Sequence, residues 1–322
     1  MNIAVIGAGI SGLTAARCLA NGGHDVVVFE KSRRPGGRLA TRHVQNVELG
    51  GAGTVDLAFD HGAQYITARD PRFALVLAQW ERERLVTKWN GRIVSFDGEG
   101  WEAVAPGTDR YVGVPGMGAI GRSLAIGLDI RYESCIESLD ALAGFDRVVL
   151  SVPAPDAAPL VAASPALAAR VAGVTMKPCW AVLAAFEEPV RAPFDGAFVQ
   201  GSPLSWVART RSTRRPGDPD AWVLHASTQW SGAHLLDPPD TVGPFLLGAF
   251  DVLVRTGVPK PLYLTAHRWR YAGADPPLAV GALRDETSKL VVCGDWCAGA
   301  RVEDAYVSGL AAAREVVGVL RS

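Results

Sequence analysis

Within its first thirty residues the chain spells strand, glycine turn, helix and second strand, a combination that leaves few folds open. Residues 3–6 are a short apolar run rich in β-branched side chains, and Gly7-Ala8-Gly9-Ile10-Ser11-Gly12 then opens a helical pattern carried by Leu13, Ala16 and Ala20. Asn21-Gly22-Gly23 stops that helix, and residues 25–30 read as a second, parallel strand ending in an acid 18 positions beyond Gly12. In such a unit Gly7 makes the tight turn, Gly9 lets backbone N–H groups approach a pyrophosphate, and Gly12 lets helix and strand pack closely. Ile10 and Ser11 begin the helix, whose N-terminus supplies partial positive charge. Glu30 is placed to accept hydrogen bonds from adenosine ribose hydroxyls. A dinucleotide is the ligand this grammar implies.

Composition removes several alternatives. With 322 residues, 48% hydrophobic and 20% charged, the chain can bury a full core and has the length of about two domains. A formal net charge of -1 gives no general field for nucleic acid or anionic lipid, so neither is expected as a partner. No run of 18 apolar residues occurs, and the start lacks a basic leader followed by a cleavable apolar stretch; the expected location is the cytoplasm. Five cysteines do not make a disulfide framework. Cys293 and Cys297 stand four apart without nearby histidines, so no metal is expected, and Cys18, Cys135 and Cys179 read as small packing residues.

Directly after Glu30 comes the basic loop Lys31-Ser32-Arg33-Arg34-Pro35-Gly36-Gly37-Arg38, in which Arg33 and Arg34 read as a solvated turn. At the other end, residues 290–293 form an apolar strand, Gly294-Asp295 follows, and Arg301-Val302-Glu303-Asp304-Ala305 leads into a helix whose inward face is expected at Leu310, Ala313, Val317 and Leu320. The E-K-x-x-x-x-G-G-R pattern resembles the flavin-containing amine oxidase and renalase superfamily. That resemblance implies non-covalent FAD, with Gly37 and Arg38 along its diphosphate and Asp295 against the ribityl or pyrophosphate. It also implies a helix N-terminus at the isoalloxazine O2 edge, where a positive dipole favours anionic reduced flavin.

Both chain ends then belong to one flavin domain, and the second domain is inserted between them. The expected fold is α/β: a Rossmann-like FAD domain from residues 1–70, 113–160 and 272–322, and a substrate domain on an antiparallel sheet from residues 71–112 and 161–271. Residues 73–84 read as an amphipathic helix, 85–96 as a hairpin around Asn90-Gly91, and residues 114–118 as a turn before another helix. Residues 146–152 form a strand ended by Pro153-Ala154-Pro155; residues 180–187, 204–211, 221–227 and 262–271 are strand-like runs. Between Ile136 and Asp146 there is too little chain for the superfamily's β-meander, so a shortened hairpin is expected there, with Ile136 reaching the adenine.

Several further strings, D-H-G-A-Q-Y at residues 60–65, T-A-R-D at 67–70, P-G-M at 115–117, A-H-R-W at 266–269 and C-G-D-W-C at 293–297, resemble bacterial renalases along nearly the whole chain. The resemblance implies an oxidase that takes hydride from the 2- and 6-dihydro isomers of NAD(P), yields NAD(P)+, and passes electrons to O2 as hydrogen peroxide. Hydride transfer needs a stacked, desolvated ring more than an acid or base. Gln64, Tyr65, His225, His267 and Trp269 are therefore the candidate catalytic residues, with His61, Trp180, Trp206 and Trp230 as substrate lining. The 60–65 loop is expected beside the flavin, adding Gly62, Ala63 and Gln64 to a cofactor set that comprises Gly7, Gly9, Ile10, Ser11, Gly12, Glu30, Lys31, Gly37, Arg38, Ile136, Gly294, Asp295, Arg301, Val302, Glu303 and Ala305. Large aromatics also fill cores, and a buried, satisfied histidine is the other role open to His225 and His267. Two alternatives stay open: a flavin amine oxidase acting on a small amine or polyamine, and a non-catalytic FAD-holding interaction protein. None of the five lysines, Lys31, Lys88, Lys177, Lys260 and Lys289, falls in the 266–269 strand, where amine oxidases of the superfamily commonly place one near the flavin.

Overall fold

The computed structural model describes residues 1–51, 53–104, 107–210, 218–285 and 287–318. The N-terminal apolar run becomes strand Asn2–Ile6 at the heart of a six-stranded sheet, ordered Leu283–Arg284, Leu290–Val292, Arg147–Leu150, Asn2–Ile6, Asp25–Phe29, Asp129–Arg131. All pairs are parallel except the first, which is antiparallel. A parallel sheet is covered on both faces, which is why its central strands carry no polar alternation. Ile3, Val5, Val149 and Val291 meet helices Ile10–Asn21 and Val302–Gly318 on one face. Ala4, Ile6, Leu150 and Val292 meet Val161, Leu167, Val171 and Trp296 on the other.

The second sheet has seven strands, ordered Tyr263–Ala274, Met176–Phe186, Asp220–Ala226, Leu204–Arg209, Gly196–Val199, Ile93–Phe96, Trp101–Ala103. It is antiparallel except where Gly196–Val199 runs beside Ile93–Phe96. One face packs Trp180, Val182, Trp222 and Leu224 against Leu246 and Phe250 of helix Pro239–Val254. The other packs Ala181, Leu183 and Val223 against Leu57 and Phe59 of the hairpin Thr41–Glu48 and Thr54–Asp60. That hairpin delivers the 60–65 loop between the two sheets.

Four local expectations change. Residues 85–96 do not form one hairpin: Val86–Lys88 pairs with Tyr111–Gly113, while Ile93–Phe96 turns into Trp101–Ala103. The tight turn lies instead at residues 97–100, where the Asp97 carboxylate accepts from the N–H groups of Glu99 and Gly100. Between residues 132 and 146 there is no strand, only the 3-10 turn Leu139–Leu142, so the meander is replaced and not shortened. The strand expected over 204–211 ends at Arg209, and Arg211 lies outside the described residues.

The C-terminal helix also turns a different face inward. Ser308, Gly309, Ala312, Ala313 and Val316 are buried, whereas Val317 is 39% exposed and Leu320 lies outside the described residues. The reason is a close approach: a Cβ on Gly309 would come within 2.3 Å of the Ser11 carbonyl oxygen, so small residues face the first helix. Gly309→Ala should therefore cost about 1–3 kcal/mol through overpacking, while Val317→Ala should change stability by less than about 0.5 kcal/mol. Equal thermal midpoints for the two variants would contradict this helix phase.

Candidate cofactor and substrate cleft

A cleft of 1690 Å³ runs across the carboxyl ends of the parallel strands and reaches the edge of the antiparallel sheet. Small-ligand pockets span about 300–1,000 Å³, so this one has room for an extended cofactor and a second molecule.

Its first end is the glycine turn. Gly7 has φ +102, and a Cβ there would lie 2.4 Å from the Ser151 carbonyl oxygen. Gly12 is not on the cleft wall; its missing side chain lets the helix sit under the turn, since a Cβ would lie 2.0 Å from the Gly7 carbonyl oxygen. Gly9, Ile10 and Ser11 do line the cleft, and the side of Gly9 faces open space. The helix that starts there has no side-chain cap and no acid in its first turn, so free N–H groups and the positive end of the dipole face the cleft. Glu30, 7% exposed, accepts from Ala8 N–H at 2.7 Å through Oε2 and from Ser32 N–H at 2.8 Å and its hydroxyl through Oε1. Lys31 pairs with Asp156 at 2.8 Å and Arg33 with Glu133 at 2.8 Å. Ile136 lines the same end.

Gly37 and Arg38 stand midway. Arg38 donates through Nη1 to Asp295 Oδ2 at 2.8 Å and to the Ala272 carbonyl at 2.9 Å, and through Nη2 to Asp295 Oδ1. The Asp295 side chain is 7% exposed, that of Arg38 32%. An arginine read from sequence as a diphosphate contact is here the counter-ion of a buried carboxylate. Gly294 donates its N–H to Ser308 Oγ at 2.9 Å, fixing the turn before Asp295. Arg301, Val302 and Ala305 line the cleft, but Glu303 does not. Its buried Oε1 accepts from Arg69 N–H at 2.6 Å and from Asp70 N–H, while Asp304 accepts from Arg301 N–H at 3.0 Å. Two carboxylates in that first turn oppose the positive dipole expected at the flavin O2 edge.

The 60–65 loop is locked to Arg38. A Cβ on Gly62 would sit 1.9 Å from the Arg38 carbonyl oxygen, and Ala63 N–H donates to that oxygen at 2.9 Å. Asp60 holds Met117 N–H at 2.9 Å and the Thr41 hydroxyl at 2.5 Å, tying the P-G-M turn to the loop. Burial raises the Asp60 carboxyl to about 6 against the opposing pull of the Thr41 hydroxyl.

At the far end three histidines and a tryptophan cluster. The His61 ring lies 4.8 Å from His267, edge-on, and 4.9 Å from Trp269, stacked. The His61 carbonyl accepts from His225 Nε2 and from Trp269 Nε1, both at 3.0 Å. Burial lowers the His61 imidazole to about 4, helped by His267 and Arg42, and burial likewise lowers His225 and His267. All three are neutral imidazoles at physiological pH.

Not every candidate joins them. Gln64, Tyr65, Trp206 and Trp230 lie off the cleft wall. The chain turns away after Ala63: the Gln64 side-chain Oε1 accepts from Trp206 Nε1 at 2.6 Å, and Tyr65 packs on Trp206 at 5.5 Å. Trp230 stacks on His234 at 4.1 Å and Phe245 at 5.3 Å. Trp180 abuts the cleft but is fully buried, its indole N–H donating to the His234 carbonyl at 2.9 Å. Sequence reasoning passed over Cys179, Arg268, Arg270 and Tyr271, which do line the wall. The unbroken basic and aromatic run A-H-R-W-R-Y, already centred on His267 and Trp269, was the signal that could have found the last three.

An uncapped helix start over open space, an acid at the end of the second strand, and a paired arginine and aspartate midway fit a bound flavin dinucleotide. Fold and cleft define a two-domain flavin-dependent oxidoreductase. Comparison with known proteins gives the family: a model for the NAD(P)-binding Rossmann-like domain matches residues 5–80, and one for flavin containing amine oxidoreductase matches residues 100–317. The chain belongs to the flavin-containing amine oxidoreductase family, and its cofactor is FAD. Cyclohexylamine oxidase from Brevibacterium oxydans superposes over 100% of this chain and 99% of its own with a TM-score of 0.72 at 14% identity, a likeness of fold. An L-amino-acid oxidase of Daboia russelii is 53% identical over 49 residues, 15% of this chain and 9% of its own length. An L-amino acid dehydrogenase of Synechocystis sp. is 29% identical over 99 residues, 30% of this chain and 19% of its own. The chain thus spans under a fifth of the length of these two curated relatives. Among the described residues no helix is long and apolar enough to cross a membrane.

Arg38→Ala should do more than weaken FAD retention. It strands a buried carboxylate, with an expected loss of about 3 kcal/mol in unfolding free energy. Adding Asp295→Asn to it should recover part of that loss, and strictly additive losses in chemical denaturation would contradict the pairing.

Proposed function

We propose that this chain is a renalase-like oxidase, taking hydride from the 2- and 6-dihydro isomers of NAD(P) and passing the electrons to O2. In balance, a dihydro isomer, O2 and one proton give NAD(P)+ and H2O2. When bound, FAD supplies the hydride acceptor, its N5. The residues of this chain supply the surroundings. The observation that carries the reading is the chemistry of the far wall: neutral His61, His225 and His267 with Trp269, flanked by Arg268 and Arg270, and no lysine or carboxylate among them. Such a wall can stack and desolvate an electron-rich ring. It offers no counter-charge for an ammonium group.

His61 is the positioning element of that wall. Its carbonyl gathers His225 and Trp269, and its loop is anchored on the Arg38 carbonyl, so the ring plane of Trp269 is fixed relative to the cofactor cleft. The neutral imidazoles add no positive charge of their own beside a nicotinamide ring that becomes cationic as its hydride leaves, and leave the charge of this end to Arg268 and Arg270 at its border. Oxidation of a small amine is the second reading, favoured by the family itself and by a fold shared with cyclohexylamine oxidase.

Anaerobic mixing separates them. The 2- or 6-dihydro isomers should bleach the flavin within seconds, and cyclohexylamine or putrescine should leave it yellow; the reverse outcome would sink the proposal. A protein that retains FAD yet is bleached by neither class would be a holder of the cofactor and not an oxidase. The pH profile is a separate check. Because burial lowers the His61 imidazole to about 4 and lowers His225 and His267 as well, the bleaching rate should show no inflection at the ordinary histidine value and should fall as pH drops toward about 4. An inflection near pH 6.5 would show that the wall carries a normal histidine.

A further inference from the structure

Building on the dihydronicotinamide reading, we infer that Arg270, with Arg268 beside it, grips a phosphate of the substrate at the mouth of the cleft and so selects phosphorylated nicotinamides over the bare nucleoside. Tyr263–Ala274 is an edge strand of the antiparallel sheet, hydrogen-bonded only to Met176–Phe186. Up to Trp269 alternate residues take opposite faces, His267 and Trp269 on one and Arg268 on the other; beyond it the pairing register slips by two residues before Gly273, so Arg270 and Tyr271 lie in a bulge of the strand. All of these line the cleft, because the strand's free edge borders it.

The two arginines differ in how they are held. Arg268 donates to the Leu235 carbonyl, and its guanidinium lies 5.5 Å from the Trp180 ring, so its position is set by the core. Arg270 is exposed and, among the described residues, has no ion pair or side-chain hydrogen bond. Elsewhere on the wall, Lys31, Arg33 and Arg38 are each matched to a carboxylate. Arg34 and Arg301 are not, but they stand in the loop after Glu30 and at the start of the C-terminal helix, away from the edge strand. The carboxylates of the wall, Glu30, Glu137, Asp156 and Asp295, sit at the glycine-turn end or under Arg38. The far end is therefore cationic and unneutralised. Arg268 and Arg270 stand two positions apart on the same wall, and guanidinium forks match phosphate oxygens.

Binding to the FAD-loaded enzyme tests this without turnover. Nicotinamide mononucleotide and nicotinamide riboside would be titrated against the flavin absorbance of the wild type, Arg270→Ala and Arg270→Lys, and KM measured for their 6-dihydro forms. The wild type should favour the mononucleotide by about tenfold, with the preference shrinking as salt is added. Arg270→Ala should bring the ratio near one, and Arg270→Lys should restore part of it. Equal affinities in the wild type, or an intact preference in Arg270→Ala, would overturn the inference. Dihydro isomers that bleach the flavin with no phosphate preference would overturn it while leaving the proposed function standing. A phosphate preference without bleaching would support the site and remove the function.

Discussion

Arg38 and Asp295 stand 257 residues apart, and their bidentate contact is the joint on which the rest of the site depends. A carboxylate 7% exposed needs a partner in place, because desolvation of an unpaired charge costs several kcal/mol. Arg38 meets that need and spends a third hydrogen bond on Ala272, at the end of the antiparallel sheet's edge strand. The Arg38 carbonyl in turn seats Gly62 and Ala63. One residue thus fixes the glycine loop, the C-terminal turn, the substrate sheet and the histidine loop relative to one another. The two ends of the chain close on a single cofactor cleft through it.

From that joint the cleft divides by charge. Toward the glycine turn, cations and carboxylates alternate in matched pairs around a helix start that is itself positive. Toward the antiparallel sheet the matching stops: imidazoles are kept neutral by burial, indole and imidazole rings stack, and arginines border the opening. The first environment suits a long anionic cofactor. The second is the environment on which the proposed dihydronicotinamide reading rests.

Much of this was legible in the sequence wherever the physics is local. Gly7, Gly12 and Glu30 owe their places to a turn, a close approach and a strand end, each written within a few residues. The A-H-R-W and D-H-G-A strings do meet, as His61, His267 and Trp269 show. What escaped depends on pairing across distance. Asn90-Gly91 has the composition of a hairpin turn, yet its flanking strands each find a better partner far along the chain. Gln64 and Tyr65 follow directly on Ala63, but Trp206, paired with His225 on the same face of the sheet, draws them sideways off the cleft wall. Glu303 looked like a cofactor contact because it opens a helix at the cleft, and it instead satisfies the backbone before the helix Pro71–Arg82. The inward face of the C-terminal helix was set by Gly309 against Ser11, a contact between the chain's two ends that periodicity alone does not encode.

Calorimetric titration of the apoprotein with FAD, in the wild type and in Glu30→Ala and Asp295→Asn, tests the central claim most directly. One site per chain is expected, weakened by about tenfold or more in both variants, because residues from opposite termini hold the same molecule. A variant at either end that binds FAD as tightly as the wild type would contradict the shared grip.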